Sequence, residues 1–347
     1  MERLADAEPP LEDKSPFLRD LAANFKKGQV FQTALELDVF AKLKTPKSLE
    51  AISREMDTDE RLTGRFLDVL VALGLLAKND GAYVTPADLY PFLATGEPYF
   101  SKQLLLSEEE QRNWLNLKEL LKQGPYKKEK SDFQYFYDRE SMELIARSAL
   151  LGRLQKILKI VIELPEFQKS RRLIDLGGGH GLFGIGLAQE NQDLEVVIFD
   201  RPGIVELSSE FIKKYGMEKR VKTIAGDYIT DELGTGYDLV LEISSFEGNL
   251  DQARQFFQNV EKALRPGGLF IIQTFAIEAN RTGPLLPLLH DLRKKMEGRN
   301  MYMMDKAEII GILEDAGFEE ETVIVFPKEM SSQLIIARKK REKLENS

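Results

Sequence analysis

A chain of 347 residues is long enough for two domains with separate cores, and 43% hydrophobic with 30% charged residues is an ordinary globular balance. The chain has no cysteine, which excludes disulfides, thiol catalysis and thiolate metal sites, and two histidines, His180 and His290, make a histidine metal centre improbable. A formal charge of −9 argues against a general nucleic-acid partner, whose phosphates are bound chiefly by Lys and Arg, and suits a small or neutral ligand better.

The chain begins MERLADAEPPLEDKSPF, which lacks the apolar core of a signal peptide and is acidic where a transit peptide is basic. No stretch approaches the ~20 apolar residues of a membrane span, so the expected location is the cytoplasm. Residues 1–14 read as a loose tail and residues 15–125 as a first domain. From Ser15 to Lys44 apolar positions recur at helical spacing, and the spacing predicts two helices meeting near Gly28. Thr45-Pro46-Lys47-Ser48 is placed to cap a short helix, Leu49 to Met56. Thr58 or Asp59 is placed to cap another, with Leu62, Phe66, Val69, Leu70 and Leu73 as its core face. Gly74 ends that helix, and Asn79-Asp80-Gly81 turns a hairpin within Leu75 to Val84. Three helices and a hairpin make a winged helix. Its second-to-last element carries Arg61 and Arg65 but also Asp59, Glu60 and Asp68, so it offers no basic surface for DNA.

Further helices are expected over Pro86 to Leu93 and Phe100 to Lys122, a break at Gly124-Pro125, and a solvated KKEKSD linker at 127–132. A long helix is expected from Phe133 to Leu164, whose Met142, Ile145, Leu150, Leu154 and Leu158 suit a core or subunit interface. The second domain, residues 126–347, centres on LIDLGGGHGLFGIGLAQENQDLEVVIFD, Leu173 to Asp200. A short apolar strand containing Asp175 runs into Gly177, Gly178, Gly179 and Gly181. A helix follows from Phe183 to Gln189, and a β-branched strand ends at Asp200. Such a strand, glycine loop, helix, strand and acid unit binds the ribose and adenine end of a nucleotide-like cofactor.

Gly179, Gly181 and Gly184 satisfy GxGxxG, so dinucleotide binding and a purely structural glycine turn stand as alternatives. S-adenosylmethionine (SAM) fits better. A pyrophosphate wants a bare helix N-terminus, whereas a sulfonium and an α-ammonium want carboxylates and carbonyls. Here Asp175 precedes the glycines by two residues, and Gly226-Asp227 follows one strand beyond Asp200.

After Asp200, Arg201-Pro202-Gly203 opens a helix to Tyr215. Strands are expected at Val221 to Ala225, Tyr237 to Ile243 and Leu269 to Phe275, the last entered through an Arg265-Pro266-Gly267-Gly268 turn. Helices are expected at Asp251 to Leu264 and Met304 to Ala316, and Val323 to Phe326 with Gln333 to Arg338 closes the sheet. This alternation predicts a doubly wound, Rossmann-like α/β domain, with Gly177, Asp200, Asp227 and Ser244 to Glu247 converging beyond the strand ends.

With these residues assembled, the chain resembles class I SAM-dependent methyltransferases of the small-molecule O-methyltransferase type, a group with caffeate and acetylserotonin O-methyltransferases. The resemblance rests on FQTALELDVFAKL, RFLDVLVALGLL and YVTPADLYPFL in the first domain, and on LIDLGGGHG, VVIFDRPGIVE, AGDY and ALRPGGLFII in the second. It implies a homodimer whose winged-helix domains make the contact and close part of the partner's pocket, and a small, aromatic or conjugated acceptor. It also implies that Gly177 and Gly179 pack against SAM and that Asp200 takes both ribose hydroxyls. Asp227 then recognises the adenine amino group, its plainer role being a turn former after Gly226, with Tyr228 along the ring, and Arg201, Gly226 and Ser244 line the site. Asp175 sits nearer the methionine end, either offsetting the ammonium or bonding loop amides.

The chain departs from the family at the acceptor. Phe246 stands where a general-base histidine is expected, and Glu242 where the family has a lysine or polar residue. Glu247 and His290 are the candidate catalytic bases; the plainer roles open to them are a solvated loop acid and a surface or capping histidine. Without a base, the acceptor would have to be a nucleophile already deprotonated (carbon, sulfur or an acidic phenol), or the chain a non-methylating SAM relative of hydroxylase, decarboxylase or pericyclic type. From a different class, a SAM-sensing winged-helix regulator remains open. His180 is expected only to shape the glycine loop, and Phe246 to form an apolar wall against a flat acceptor.

Overall fold

A computed structural model of the protein describes residues 11–101, 105, 108–126, 139–327 and 330–341. The chain divides into two compact units, residues 1–111 and 112–347, upstream of the Gly124-Pro125 break. The KKEKSD segment and the start of the expected Phe133 helix lie outside the described residues.

In the first unit Ser15–Glu36 is one continuous helix, so Gly28 does not separate two. A glycine inside a helix costs about 1 kcal/mol, and the good helix formers around it carry the helix through. Ser48 caps Leu49–Met56 by accepting the Ala51 amide, and Asp59 caps Glu60–Ala72 by accepting the Leu62 amide. The buried face of Glu60–Ala72 is Thr63, Gly64, Leu67 and Leu70, so of the face expected Leu70 is buried and Phe66 packs against the same core, while Leu62 and Val69 turn outward. Leu62 and Val69 are 71% and 42% exposed. The small Gly64 lets the Leu49 side chain approach to 3.0 Å of where a Cβ would stand, so the helix packs closely on Leu49–Met56 along this side. Three short strands, β1 (Lys47–Ser48), β2 (Ala77–Asn79) and β3 (Ala82–Val84), pair antiparallel in the order β1-β3-β2. The β2–β3 turn carries Asp80 and Gly81 at φ 49° and 79°, as a two-residue hairpin of the Asp-Gly kind requires.

Beyond Tyr90–Leu93, which is shorter than expected, helices are described at Glu108–Leu115 and Leu117–Gln123. The expected long helix is broken: Arg139–Ala149 and Arg153–Ile162 meet at Gly152, whose φ of 117° no other residue type adopts readily.

The second unit holds a seven-stranded sheet in the order β6-β5-β4-β7-β8-β10-β9. These strands are β4 (Arg172–Leu176), β5 (Glu195–Asp200), β6 (Val221–Ala225), β7 (Tyr237–Ile243), β8 (Leu264–Phe275), β9 (Phe318–Val325) and β10 (Ser332–Lys339). β6 through β8 run parallel, and β10 runs antiparallel between β8 and β9. The Arg265-Pro266-Gly267-Gly268 segment lies inside β8, where the register with β7 shifts, instead of forming a separate turn. Helices cover both faces, and successive strand residues serve opposite cores. Leu173, Val196, Ile198, Leu239 and Leu269 pack on one side, and Ile174, Leu176, Phe199, Val240 and Phe270 on the other. Such burial explains why the strands read as continuous apolar runs. Strand order reverses at β4, and a crevice opens there beyond the carboxyl ends. Among the described residues no helix is long and apolar enough to cross a membrane.

Candidate functional site

A cavity of about 430 Å³ occupies that crevice. Asp175, Gly177, Gly179, Asp200, Arg201, Gly226, Asp227, Tyr228 and Ser244 all line it, as does Glu247; His290 does not. Met142 and Ile145, expected to serve core or interface, line it as well, because the break at Gly152 turns Arg139–Ala149 across the glycine loop.

The floor comes from the ends of three adjacent strands. Gly177 follows β4 at φ 62°, and a Cβ there would clash with the Ser245 hydroxyl, so only glycine lets the two loops touch. Asp175 is 1% exposed beneath Gly178; its Oδ2 accepts the Gly184 amide at 3.3 Å, and its Oδ1 has no hydrogen-bond partner. Burial, with repulsion from Asp200 and Glu242, outweighs that amide and pushes its carboxyl up to about 7. Asp200, at the end of β5, accepts the Gly179 amide at 2.9 Å and the Arg201 amide at 2.7 Å, leaving lone pairs on both oxygens. Burial raises its carboxyl too, against those two amides.

Asp227 is exposed and makes a local turn, its Oδ1 accepting the Ile229 amide at 2.9 Å. The Tyr228 hydroxyl donates to the Ser245 carbonyl at 2.9 Å, and its ring packs 5.1 Å from Phe256. His180 is buried, its Nδ1 accepting the Leu182 amide at 3.0 Å, and burial with nearby Arg153 pushes it down to about 4. It is thus a neutral loop-shaping group.

The loop after β7 is organised from below. Glu242, 2% exposed, accepts the Ser245 amide at 2.5 Å and the Phe246 amide at 2.9 Å on one oxygen, with Ser245 Oγ 2.8 Å away. Ser245 Oγ also stands 3.0 Å from the Leu176 carbonyl at the end of β4, so its single proton is shared between these two acceptors. Glu242 is therefore an anchor of the loop and does not line the cavity, and burial raises its carboxyl against the donors that hold it. Phe246 does not form the expected wall. It turns away from the cavity and stacks on Phe256 at 5.3 Å and 12°, where burial in the Phe256 cluster is worth more to an aromatic ring than solvent.

Glu247 faces the cavity and is no solvated loop acid. Lys294 Nζ donates to its Oε1 at 2.6 Å, and Arg299 pairs with its Oε2. Burial opposes its charge, but the two cations win and hold the carboxyl below the ordinary range. His290 lies on Leu285–Met296 with its ring 5.1 Å from Phe275 and Nδ1 3.4 Å from Arg293. Burial and the Lys294 and Arg293 charges push it down to about 4. The two base candidates thus share one charge network, and only Glu247 reaches the cavity.

One residue that sequence reasoning missed is Arg153. It lines the cavity, burial lowers its pKa, and its guanidinium stands 5.7 Å from the centre of the Phe183 ring. Among the described residues no hydrogen bond or ion pair engages it. It precedes the glycine unit by about twenty positions, and no local motif marks it.

These residues fit SAM on grounds of this cavity alone. An unsatisfied buried carboxylate oxygen suits an ammonium, an unengaged guanidinium suits a carboxylate, and a Cβ-free cradle admits close contact.

Comparison with known proteins accords with the cavity. Residues 19–91 match the model of an O-methyltransferase dimerisation domain, and residues 114–319 that of an O-methyltransferase domain. The chain is 30% identical over 273 residues to an uncharacterized protein of Methanocaldococcus jannaschii, covering 76% of this chain and 72% of that one. It is 25% identical to a 3-hydroxy-5-methyl-1-naphthoate 3-O-methyltransferase of Streptomyces sahachiroi, covering 92% and 93%. The fold is shared with human N-acetylserotonin methyltransferase, solved in complex with SAM, at a TM-score of 0.75 and 20% identity over 96% and 100% of the chains. The chain belongs to the O-methyltransferase family and is a SAM-dependent methyltransferase built of a dimerisation domain and a catalytic domain.

Proposed function

We propose that the protein is a homodimeric O-methyltransferase acting on a small aromatic or conjugated hydroxyl compound, with the cofactor held at the glycine loop. The observation that carries this reading is the grouping of Gly177, Asp175, Asp200 and Arg153 around one cavity. Bound there, SAM supplies an electrophilic methyl group for in-line displacement, a reaction whose main demand is alignment. Gly177 and Gly179 offer backbone for close packing, Asp200 offers lone pairs to the ribose hydroxyls, and Asp227 keeps an oxygen for the adenine amino group. Tyr228, fixed by Ser245, forms a wall beside Gly226, with Arg201 and Ser244 at the rim. Asp175 and Arg153 serve the ammonium and carboxylate of the methionine end.

Glu247 is the preferred group for proton removal over His290, because it alone of the two lines the cavity. Held charged by Lys294 and Arg299, it is a weak base, which suits an acceptor whose own hydroxyl is acidic. A hydroxynaphthoate is the first acceptor to test, given the name of the Streptomyces relative. The dimer is supported by the matched dimerisation domain and by an apolar ridge on Ser15–Glu36, where Phe17, Leu18, Leu21 and Phe25 are each more than half exposed. The test is calorimetry with SAM followed by mass spectrometry of hydroxyarenes incubated with it. A gain of one methyl group supports the reading. Micromolar SAM binding with no methyl uptake across phenols and hydroxynaphthoates would turn it toward the non-methylating alternative.

A further inference from the structure

Glu247 is tied to two cations, with Lys294 Nζ on Oε1 at 2.6 Å and Arg299 on Oε2. Taking a proton from an acceptor hydroxyl moves a negative charge from Glu247 to the acceptor oxygen. Both cations oppose that move while they stay in place, since each favours the ionised carboxylate. The transfer becomes feasible when one of them can face the oxygen that gains the charge, as in sites that stabilise a developing oxyanion.

The two cations differ in what they can reach. Lys294 is 4% exposed and does not line the cavity, whereas Arg299 does, with Asn300 beside it. Arg299 follows the end of Leu285–Met296, and its amide donates to the Lys294 carbonyl at 3.0 Å. Further along, the Tyr302 amide donates to the Gly248 carbonyl at 3.0 Å. The segment is thus fastened to the helix on one side and to the loop that carries Glu247 on the other. Glu297 Oε2 stands 3.3 Å from Arg299 Nε, so the guanidinium is held along one edge while its Nη1 meets Glu247. A planar, permanently charged group with donors on several edges can change one oxygen partner and keep the other.

We propose that Arg299 is a catalytic residue of the acceptor site, pairing with the acceptor oxygen as the hydroxyl gives its proton to Glu247, so that a hydroxyarene is held as its anion for methylation. In that step the O–H bond breaks and its electron pair stays on the acceptor oxygen. The proton bonds to a Glu247 oxygen and later passes to solvent, and Arg299 exchanges a carboxylate for an aryloxide. The total charge of the group is unchanged throughout. Lys294 remains on Glu247 and limits the basicity it gains, which favours acidic aryl hydroxyls over aliphatic alcohols. The inference rests on the reading of Glu247 as the group that removes the proton, and it adds the residue that receives the charge.

The test is visible absorbance of two chromophoric hydroxyarenes, 4-nitrophenol and 4-nitro-1-naphthol, titrated with the full-length protein in complex with S-adenosylhomocysteine. Each probe is used about one pH unit below its own pKa, where the free form is mostly protonated and the aryloxide band is weak. The expected result is a rise on the order of tenfold in the aryloxide-to-hydroxyl ratio of the bound probe. Arg299→Gln should abolish that rise with S-adenosylhomocysteine affinity kept within a few-fold, and Arg299→Lys should restore part of it. Lys294→Gln should keep the rise, because Lys294 does not reach the cavity. If Arg299 only held Glu247 in place, or acted only through a general positive field, the two glutamine variants would behave alike. The proposal is overturned by bound probe without a rise in wild type, by a rise that survives in Arg299→Gln, or by equal loss in Arg299→Gln and Lys294→Gln. Absence of saturable binding of either probe to the complex overturns it too, and each of these results leaves the cofactor assignment intact. Failure of S-adenosylhomocysteine to bind folded wild-type protein overturns the cofactor assignment and the proposal together. Should Arg299→Gln not fold, Glu247→Gln decides: it removes the carboxylate that competes for Arg299, so the rise should grow, and a smaller rise overturns the proposal.

Discussion

Replacing Glu242 with alanine strips the loop after β7 of its shared acceptor. Two amides, from Ser245 and Phe246, and the Ser245 hydroxyl converge on one carboxylate oxygen inside the protein. Hydrogen bonds to a charged group are worth about 1.5–3 kcal/mol each, but bonds on one oxygen do not add fully, and the Ser245 proton is shared with the Leu176 carbonyl. Removing the carboxylate also relieves the burial that pushes its pKa up. The balance is a loss of about 2–4 kcal/mol in Glu242→Ala. Glu242→Gln keeps an oxygen for the same donors and sheds the charge, so it should lie within about 1 kcal/mol of wild type. Urea unfolding at pH 7 measures both. Because the folded pKa is raised, Glu242 stabilises the fold most when protonated, and that contribution falls as pH rises through the folded value. Glu242→Gln should flatten this part of the pH dependence. Equal stability for Glu242→Ala and wild type, or equal losses for the two variants, would refute the role assigned to the oxygen.

Gly177→Ala should lose about 2–4 kcal/mol and most SAM affinity, since the φ of 62° and the close approach of the Ser245 hydroxyl both penalise a Cβ; calorimetry with unfolding curves checks it. Leu21→Asp with Phe25→Asp should shift the protein from dimer to monomer in light scattering, and an unchanged mass would remove the apolar ridge from the interface. Once an acceptor is known, Glu247→Gln should lower kcat by tenfold or more and His290→Ala by less than threefold, on the order of general-base effects. The depressed Glu247 carboxyl stays ionised to lower pH than an ordinary glutamate, so the rate should show no limb from it above pH ~5. A limb near neutrality that vanishes in His290→Ala would reverse the assignment.

The sheet and the glycine cradle were legible because their residues are neighbours in sequence. β4, the glycines, a helix and Asp200 fall within one short stretch, and local turn chemistry leaves a readable trace. What escaped was set by tertiary contact. On Glu60–Ala72 the apolar Leu62 and Val69 face outward while Thr63 and Gly64 are buried, with Gly64 close to Leu49, and apolar spacing does not encode that. Phe246 occupied the place expected for a base, yet its direction was decided by Phe256. Glu242 looked like an altered acceptor residue until its three donors were seen beneath the loop. Glu247 read equally well as a solvated acid because Lys294 and Arg299 stand about fifty positions away in sequence.

Arg139–Ala149 has a bearing on how the protein is dissected. Met142 lies 3.3 Å from where a Gly179 Cβ would stand, and Ile145 lines the same cavity, so the roof precedes β4 in the chain while the floor follows it. The helix is held on its outer side by Arg139 to Glu210, at 2.5 and 2.6 Å, a solvent-exposed pair that contributes little. A fragment trimmed to begin at Arg172 would retain every glycine of the loop and both acids, yet present them as an open trough. The smallest autonomous cofactor-binding piece therefore begins upstream of Arg139, a boundary that the glycine motif by itself would place too late.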